Sequence, residues 1–508
     1  MPRPLKLKIG IEKGKITSVN ETDGDLELII DGVSKTYTNA YVLPGLVDSH
    51  AHIFGLGIKL NGLNLDGLTS AQSCVERAVN FDKYRGDWIV GRGWNQELWH
   101  SKKYPNHKLL DEAFPNIPVF LVRVDGHAAW VNSTAMEIAG LNELTGDPRG
   151  GEIKRFKSGK PTGILIDNAM QLVRHFIPDY KFDVKKRFII EALNHCAEFG
   201  LTEIHDMDVL PNILDAFLDL NKNNQLPIRV TSYITGQTDE YIKANVKPLE
   251  TEMLRVAGIK FYADGAIGSR GAAMLEPYTD SKLTGILFLK SIELKKKIRV
   301  ALKKGFQIAT HAIGDAANRL VLNSYQKLRE EGFTPENALL RIEHAQIVHP
   351  NDVEKFAKYS VFAAVQPIHF LSDAKMMINR IGIRANYAYP WKSLVQQNAV
   401  IAGGSDFPIE SQNPFLGIDG FINRIPFDEE NSWFSEERIS LDDALDAYTI
   451  NAHKASNISH KRGSIEVGKD ADLTIIDNDF KDKKQSSIVN TKVIATIVNG
   501  KVVYENVL

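Results

Sequence analysis

Residues 42–52 read VLPGLVDSHAH, an apolar run that ends in two histidines separated by one residue. A short run of this composition predicts a buried β-strand. Because alternate side chains of a strand point the same way, we expect His50 and His52 to converge at its carboxyl end. In an α/β barrel, that end of the strands carries the functional site. The stretch therefore predicts a barrel strand that leads into a site with two imidazoles.

Three further β runs end in residues that suit the same site. His311 ends residues 307–311, His344 ends residues 340–344, and Asp406 follows residues 401–405. A single buried histidine is more often a core residue, but placement at several strand ends favours a common site. Imidazole and carboxylate groups are standard ligands of a divalent cation such as zinc. We therefore expect these residues to bind one or two divalent metal ions, with zinc the simplest choice.

Eight β runs alternate with helical patterns, which predicts an α/β fold, a (β/α)8 barrel of the TIM type. An open, doubly wound parallel sheet is the alternative. Residues 292–304 are typical of the intervening helices, since their apolar side chains recur at helical spacing. The predicted barrel strands are residues 40–49, 202–206, 227–234, 256–263, 307–311, 340–344, 361–366 and 399–405.

Both chain ends are rich in short β runs, and residues 499–500 are an Asn-Gly pair between two of them, a strong hairpin signal. We expect residues 1–43 and 461–508 to form one small β-sandwich domain, with the barrel domain at 44–460. The gap between the first two barrel strands is far longer than one crossover. We therefore expect a large insertion at about residues 55–200, which includes β runs at 89–93 and 119–124.

Lys260 lies within an otherwise apolar predicted strand, residues 256–263. A buried, unpaired ammonium is costly, and burial lowers its pKa. A neutral amine can take up CO2 and become a carbamate, an anionic ligand that bridges two metal ions. The alternatives are a lysine that extends to solvent or one that pairs with a carboxylate.

Composition excludes several classes of protein. The 508 residues hold 61 Lys and Arg against 63 Asp and Glu, a net charge of −2, so a nucleic-acid partner is not expected. There is no run of about 18 apolar residues that predicts a membrane span. Cys74 and Cys196 are too few for a disulfide framework. With no secretory signal pattern at the start, these features favour the cytoplasm.

An ordered set of motifs resembles the amidohydrolase superfamily and covers nearly the whole chain. Within it, three motifs in the first 270 residues resemble one branch, amidohydrolase family 3, which includes N-substituted formamide deformylase. The superfamily motifs are residues 43–52 (LPGLVDSHAH), 310–315 (THAIGD), 342–345 (IEHA), 404–406 (GSD) and 463–473 (GSIEVGKDADL). The branch motifs are residues 91–95 (GRGWN), 125–132 (DGHAAWVN) and 263–270 (ADGAIGSR).

The resemblance implies a barrel with a mononuclear or binuclear metal site. It assigns Asp406 two roles, metal ligand and catalytic proton shuttle, and it strengthens the expectation of a carbamate on Lys260. Residue by residue, the positions that match the family's ligands are His50, His52, Lys260, His311, His344 and Asp406.

These features predict a metal-dependent hydrolase of a C–N bond, of the amide or formamide type but not a peptide bond, acting on a small molecule. The alternatives are another metal-dependent hydrolysis (of a lactone or phosphoester, or a deamination) and a non-catalytic binding protein on the same barrel. A homodimer is a family-level expectation only. The predicted substrate contacts are Trp94, Asp125, His127, Asp264 and Arg270.

Overall fold

The computed structural model describes residues 5–81, 85–333, 338–480 and 488–506. Its strands, in chain order, are β1 (Leu7–Glu12), β2 (Lys15–Glu21), β3 (Leu26–Ile30), β4 (Val33–Tyr37), β5 (Tyr41–Pro44), β6 (Leu46–Ala51), β7 (Leu63–Asn64), β8 (Ile89–Trp94), β9 (Val119–Arg123), β10 (Ala128–Val131), β11 (Gly151–Arg155), β12 (Pro161–Asp167), β13 (Leu201–Val209), β14 (Arg229–Thr235), β15 (Leu249–Glu250), β16 (Leu254–Tyr262), β17 (Gln307–Ala312), β18 (Leu340–His344), β19 (Val361–Val365), β20 (Ile401–Gly403), β21 (Leu473–Ile476), β22 (Val493–Val498) and β23 (Lys501–Glu505).

The α-helices are α1 (Ile53–Asn61), α2 (Ala71–Val79), α3 (His107–Ala113), α4 (Ser133–Ile138), α5 (Gln171–Arg174), α6 (Phe182–Glu198), α7 (Pro211–Lys222), α8 (Glu240–Lys243), α9 (Ser291–Lys303), α10 (Asp315–Glu330), α11 (Pro350–Lys358), α12 (Pro367–Ile381), α13 (Trp391–Gln396), α14 (Pro414–Asn423), α15 (Leu441–Ala447) and α16 (Ile450–Lys454). Within the described ranges, none of these helices is both long and apolar enough to cross a membrane.

The predicted barrel is confirmed. Eight parallel strands follow one another in the order β6, β13, β14, β16, β17, β18, β19, β20, and the short β15 adds an antiparallel edge to β16. The first and last strands meet through backbone hydrogen bonds, since Asp406 N–H donates to His50 O at 2.7 Å and His52 N–H donates to Phe407 O at 2.8 Å. The carboxyl ends of the strands therefore form a continuous ring that carries the predicted ligands.

The predicted first strand, residues 40–49, is divided at Gly45. Its first part, β5, pairs antiparallel with β21, and its second part, β6, pairs with β13 in the barrel. A Cβ on Gly45 would lie 2.3 Å from Thr202 Oγ1 and 2.7 Å from its methyl carbon, so this position requires a glycine. The apolar periodicity is the same on both sides of Gly45, which is why the sequence alone predicts a single strand.

The two chain ends build two four-stranded sheets, ordered β2-β1-β3-β4 and β23-β22-β21-β5. Side chains of both sheets share one buried core, to which Ile9 and Leu28 contribute from the first sheet and Ile475 and Ile497 from the second. The expected hairpin joins β22 to β23, where Asn499 and Gly500 both have positive φ. The sandwich therefore draws its strands from both ends of the chain.

The chain divides into two compact units, residues 1–55 with 190–508 and residues 56–189. The second unit corresponds to the predicted insertion and is slightly shorter than the expected 55–200. It holds a six-stranded sheet ordered β11-β12-β10-β9-β8-β7 with a separate apolar cluster on each face. Strands β8 and β9 agree with the β runs predicted at 89–93 and 119–124.

Candidate metal centre

The two histidines at the end of β6 each direct one ring nitrogen, Nε2, towards the carboxylate of Asp406. His50 Nδ1 lies 2.5 Å from Glu343 Oε2, and His52 Nδ1 lies 3.0 Å from the backbone oxygen of Met207. These acceptors fix the protonated nitrogen of each ring, which leaves Nε2 with its lone pair exposed to the site. The two Nε2 atoms lie 3.5 and 3.0 Å from Asp406 Oδ1, respectively.

Asp406 follows β20 and adopts a left-handed backbone conformation, with φ of 61°, which is uncommon for a residue other than glycine. Burial opposes its ionisation, but the close contact with His52 and the nearby histidines hold the pKa of its carboxyl well below the usual range. The side chain is therefore an anion held at the mouth of the barrel, where a cation would stabilise it.

His311 and His344 bring two further imidazoles beside His50. The His344 ring centroid lies 4.5 Å from that of His311 and 4.8 Å from that of His50. His311 Nε2 and His344 Nδ1 are buried, and neither has a hydrogen-bond partner. Burial, reinforced by the charge of Lys260, lowers the pKa of His311 to about 3, and burial also lowers the pKa of His344. Both rings are therefore neutral with an unused nitrogen, as a metal ligand requires.

Lys260, on β16, is almost fully buried at 1% exposure. Its Nζ lies 3.5 Å from His50 Nε2 and 5.2 Å from the ring centroid of Tyr262. In the described part of the chain no carboxylate forms an ion pair with it. Burial lowers the pKa of its ammonium to about 8. The structure thus brings Lys260 together with the predicted ligands and gives no support to a surface lysine.

A layer of buried polar groups holds the predicted ligands in place. Arg341 donates from Nε to Glu343 Oε1 at 2.5 Å, which orients the carboxylate that accepts from His50. Asp48 accepts from the backbone N–H groups of His50 and Ser405 and from the Ser405 hydroxyl. These contacts join the first, sixth and eighth barrel strands directly behind the ligands.

His369 also belongs to this cluster, although it does not lie at a strand end and no sequence motif predicts it. It lies in the first turn of α12, and its Nε2, buried and without a hydrogen-bond partner, is 3.7 Å from Asp406 Oδ2. The histidines at 50, 311 and 344 were found because each sits at a strand end, whereas His369 comes four residues after β19. The usable signal was the strand followed by Gln366-Pro367, a helix start that keeps the next turn at the barrel mouth.

Two groups of three side chains meet the geometric requirement for a metal ion. The first is His50, His52 and Asp406, the second is His344, His369 and Asp406, and within each group the ligand atoms lie within 4.8 Å of one another. Imidazoles, one carboxylate and several unpartnered buried nitrogens suit a divalent cation such as zinc. The residues present therefore fit a metal centre.

Two predicted substrate contacts near the barrel mouth, Asp264 and Arg270, form hydrogen bonds with neighbouring protein groups. Asp264 is fully buried, and its carboxylate accepts from the backbone N–H groups of Ala273, Ile313 and Gly314 at 2.8 to 3.0 Å. Arg270 donates to Asp280 from Nε at 3.0 Å and from Nη2 at 2.8 Å. Asp264 thus holds the loops after β16 and β17, and a substrate role for either residue stays a prediction.

The other three predicted contacts lie in the insertion. Trp94 is fully buried in its core, with the indole N–H donated to Leu121 O at 2.8 Å, which gives no support to a substrate contact. Asp125 accepts from Arg123 and from the backbone N–H of His127. His127 is exposed, and its Nδ1 lies 2.7 Å from Asp167 Oδ1. A substrate role for Trp94, Asp125 and His127 stays a prediction.

The fold and the site together define a barrel with a metal-binding mouth, the architecture of a metal-dependent hydrolase. The sequence matches the Amidohydrolase family over residues 38–504. The chain belongs to this family, as its motifs predicted.

Relatives with known names agree with that assignment. The chain is 33% identical to Protein LONG AFTER FAR-RED 3 of Arabidopsis thaliana, over 99% of this chain and 89% of the relative. It is 24% identical to N-substituted formamide deformylase of Arthrobacter pascens, over 91% and 88% of the two chains. Among solved structures, an uncharacterized metal-dependent hydrolase from Pyrococcus furiosus is similar, with a TM-score of 0.76 and 27% identity over 93% of this chain and 99% of that one. These similarities support metal-dependent hydrolysis.

Proposed function

We propose that this protein hydrolyses a C–N bond of an amide or formamide, releasing a carboxylate and an amine from a small molecule. The observation that carries the proposal is the convergence of His50 Nε2 and His52 Nε2 on Asp406 at the barrel mouth. Family membership supports hydrolysis, and the named relative that acts on N-substituted formamides supports the type of bond. Cytoplasmic location and a homodimer remain predictions.

The residues that would hold the metal are His50, His52, His311, His344 and Asp406, with zinc the expected ion. When bound, a divalent metal lowers the pKa of a coordinated water and polarises the substrate carbonyl. The imidazoles suit this role, since each ring already donates elsewhere or has an unused nitrogen.

Asp406 is the proposed proton carrier. Its carboxylate is held ionised at the carboxyl end of the barrel, so it can accept a proton from the attacking water. It then delivers that proton to the leaving nitrogen as the C–N bond breaks. All atoms are accounted for, because water supplies the hydroxyl group of the acid and one hydrogen of the amine.

Lys260 is the proposed carbamate. Its Nζ is buried 3.5 Å from a ligand nitrogen and has no carboxylate partner within the described ranges. Addition of CO2 to the amine, with loss of one proton, would give an anionic ligand beside four imidazoles. That charge would offset the cation more effectively than a neutral amine.

The test is hydrolysis by protein loaded with Zn2+ or Mn2+ of a panel of N-formyl and N-acetyl primary amines, with a lactone and a phosphoester as comparisons. We expect amine release from at least one amide. Asp406→Asn should lower kcat by roughly 10²–10⁴-fold, with metal content measured on the same sample. His100→Gln, which removes an exposed histidine outside the cluster, is the control. Hydrolysis of the lactone or phosphoester alone would contradict the C–N assignment.

A further inference from the structure

We infer that His369 is an additional metal ligand, which with His344 and Asp406 binds a divalent cation beside the position defined by His50 and His52. The inference rests on the proposed function, because it concerns the same metal centre. It adds a ligand from the seventh barrel strand and its helix, a position that the sequence motifs did not identify.

The first support is the way in which Asp406 is shared. Its Oδ1 lies 3.0 Å from His52 Nε2, whereas its Oδ2 lies 3.7 Å from His369 Nε2. The second distance is too long for a hydrogen bond. Two ligand atoms that each lie about 2.0–2.2 Å from a tetrahedral zinc are roughly 3.4 Å apart, so the separation suits an ion between them. The two carboxylate oxygens thus face two different groups of imidazoles.

The second support is the unused nitrogen of His369. Its Nε2 is buried and has no hydrogen-bond partner, as is also true of His344 Nδ1. The two rings are nearly parallel, with an interplanar angle of 12° and centroids 6.0 Å apart. Buried polar atoms are normally satisfied, so two unpartnered nitrogens beside a shared carboxylate are suited to bind a cation.

The third support is that the backbone holds His369 in place. Pro367 begins α12, and the His369 N–H donates to Gln366 O at 3.1 Å. A Cβ on Gly420 of α14 would lie 3.0 Å from Pro367 O, so the start of α12 packs closely against that helix. A ligand on a rigid element is better suited to a fixed coordination geometry than one on a loop.

This arrangement gives Asp406 a second function. A carboxylate that contributes one oxygen to each of two positions bridges them, in addition to any bridge that a carbamate on Lys260 provides. Removal of His369 should therefore weaken one position and leave the His50 and His52 position with all its own donors.

The test is Co2+ binding to metal-free, full-length protein, followed by visible absorption and by metal analysis after dialysis. The variants are His369→Gln and His369→Ala, with His100→Gln as the control and His52→Gln as a variant of the other position. Removing outer partners of ligands costs about 10–100-fold in affinity, so loss of a direct ligand should cost at least about 10-fold for one ion. The absorption of that ion should change as its coordination changes.

The outcomes separate this inference from the proposed function. If the unaltered protein binds Co2+ and both His369 variants bind it with the same stoichiometry, affinity and spectrum, His369 is not a ligand. A raised KM with unchanged metal binding also overturns the inference, because His369 would then contact substrate only. If the unaltered protein binds neither Co2+ nor Zn2+, the proposed function itself fails. Thermal midpoints of the metal-free variants, compared with the control, verify that they are folded.

Discussion

His50 Nδ1 lies 2.5 Å from Glu343 Oε2, and both side chains are buried at the carboxyl ends of their barrel strands, β6 and β18. Burial opposes ionisation of Glu343, but Arg341 and His50 hold the pKa of its carboxyl well below the usual range. An ionised acceptor at this position fixes the His50 tautomer and makes its Nε2 a stronger donor to a cation. Glu343 would therefore act on a bound metal ion through His50.

The first prediction is that Glu343→Gln weakens metal binding by about 10–100-fold. A glutamine keeps the volume but removes the charge that orients His50, so Nε2 is less well held and less basic. Competition with a chromophoric chelator measures the affinity. Glu331→Gln is the matched control, since Glu331 pairs with Arg299 at the surface. Equal affinity in the two variants would show that Glu343 serves only to neutralise Arg341.

The second prediction concerns the carbamate. Protein prepared with ¹³C-bicarbonate should show a carbamate carbon resonance, and Lys260→Arg should abolish it, because a guanidinium does not form this adduct. The matched control is Lys185→Arg. Lys185 is also nearly buried, but it pairs with Asp179 and should form no carbamate. A Lys260→Ala protein with full metal content and full activity would rule out the carbamate role.

Much of this site follows from local rules that a single sequence displays. A buried strand shows as an apolar run, and a residue just after it lies at the carboxyl end of the sheet. That rule places His311, His344 and Asp406 from their positions alone. It also requires no knowledge of which strands are neighbours, because all eight ends meet at one mouth.

The remaining features depend on tertiary contacts. Gly45 divides two strands because Thr202, some 150 residues later, leaves no room for a side chain. His369 reaches the cluster only because α12 begins directly after β19. Since it lies outside the strand, the alternation of strand side chains does not predict its direction. Trp94 lies in the core of the insertion, a position that its motif alone does not reveal, and its substrate role stays a prediction.

The third prediction is that Gly45→Ala destabilises the protein by about 1–3 kcal/mol or more, because the new methyl group would overlap Thr202. The methyl group could be accommodated only if β6 or β13 moved, which would also disturb the predicted ligands at the end of β6. Denaturant unfolding measures the loss. Gly146→Ala is the control, since its Cβ would meet no atom within 4 Å. Equal stability of the two variants would show that the packing around Gly45 accommodates a methyl group.

The fourth prediction concerns a buried charge cluster in which His453 Nδ1 lies 3.7 Å from Glu203 Oε2, while Arg462 donates to Glu203 at 3.1 Å. Burial, reinforced by the charge of Arg462, lowers the pKa of His453 from 6.5 to about 4. Below about pH 6.5, His453 is therefore protonated in the unfolded chain, whereas in the folded chain it becomes protonated only near pH 4. Stability is lost across that window, by roughly 3 kcal/mol for a fully buried group. His453→Gln removes this ionisable group. Thermal midpoints measured from pH 7.5 to 4.5 should therefore fall less steeply for this variant than for the unaltered protein. His100→Gln, at an exposed position, should keep the original slope, and parallel curves for all three proteins would contradict the prediction.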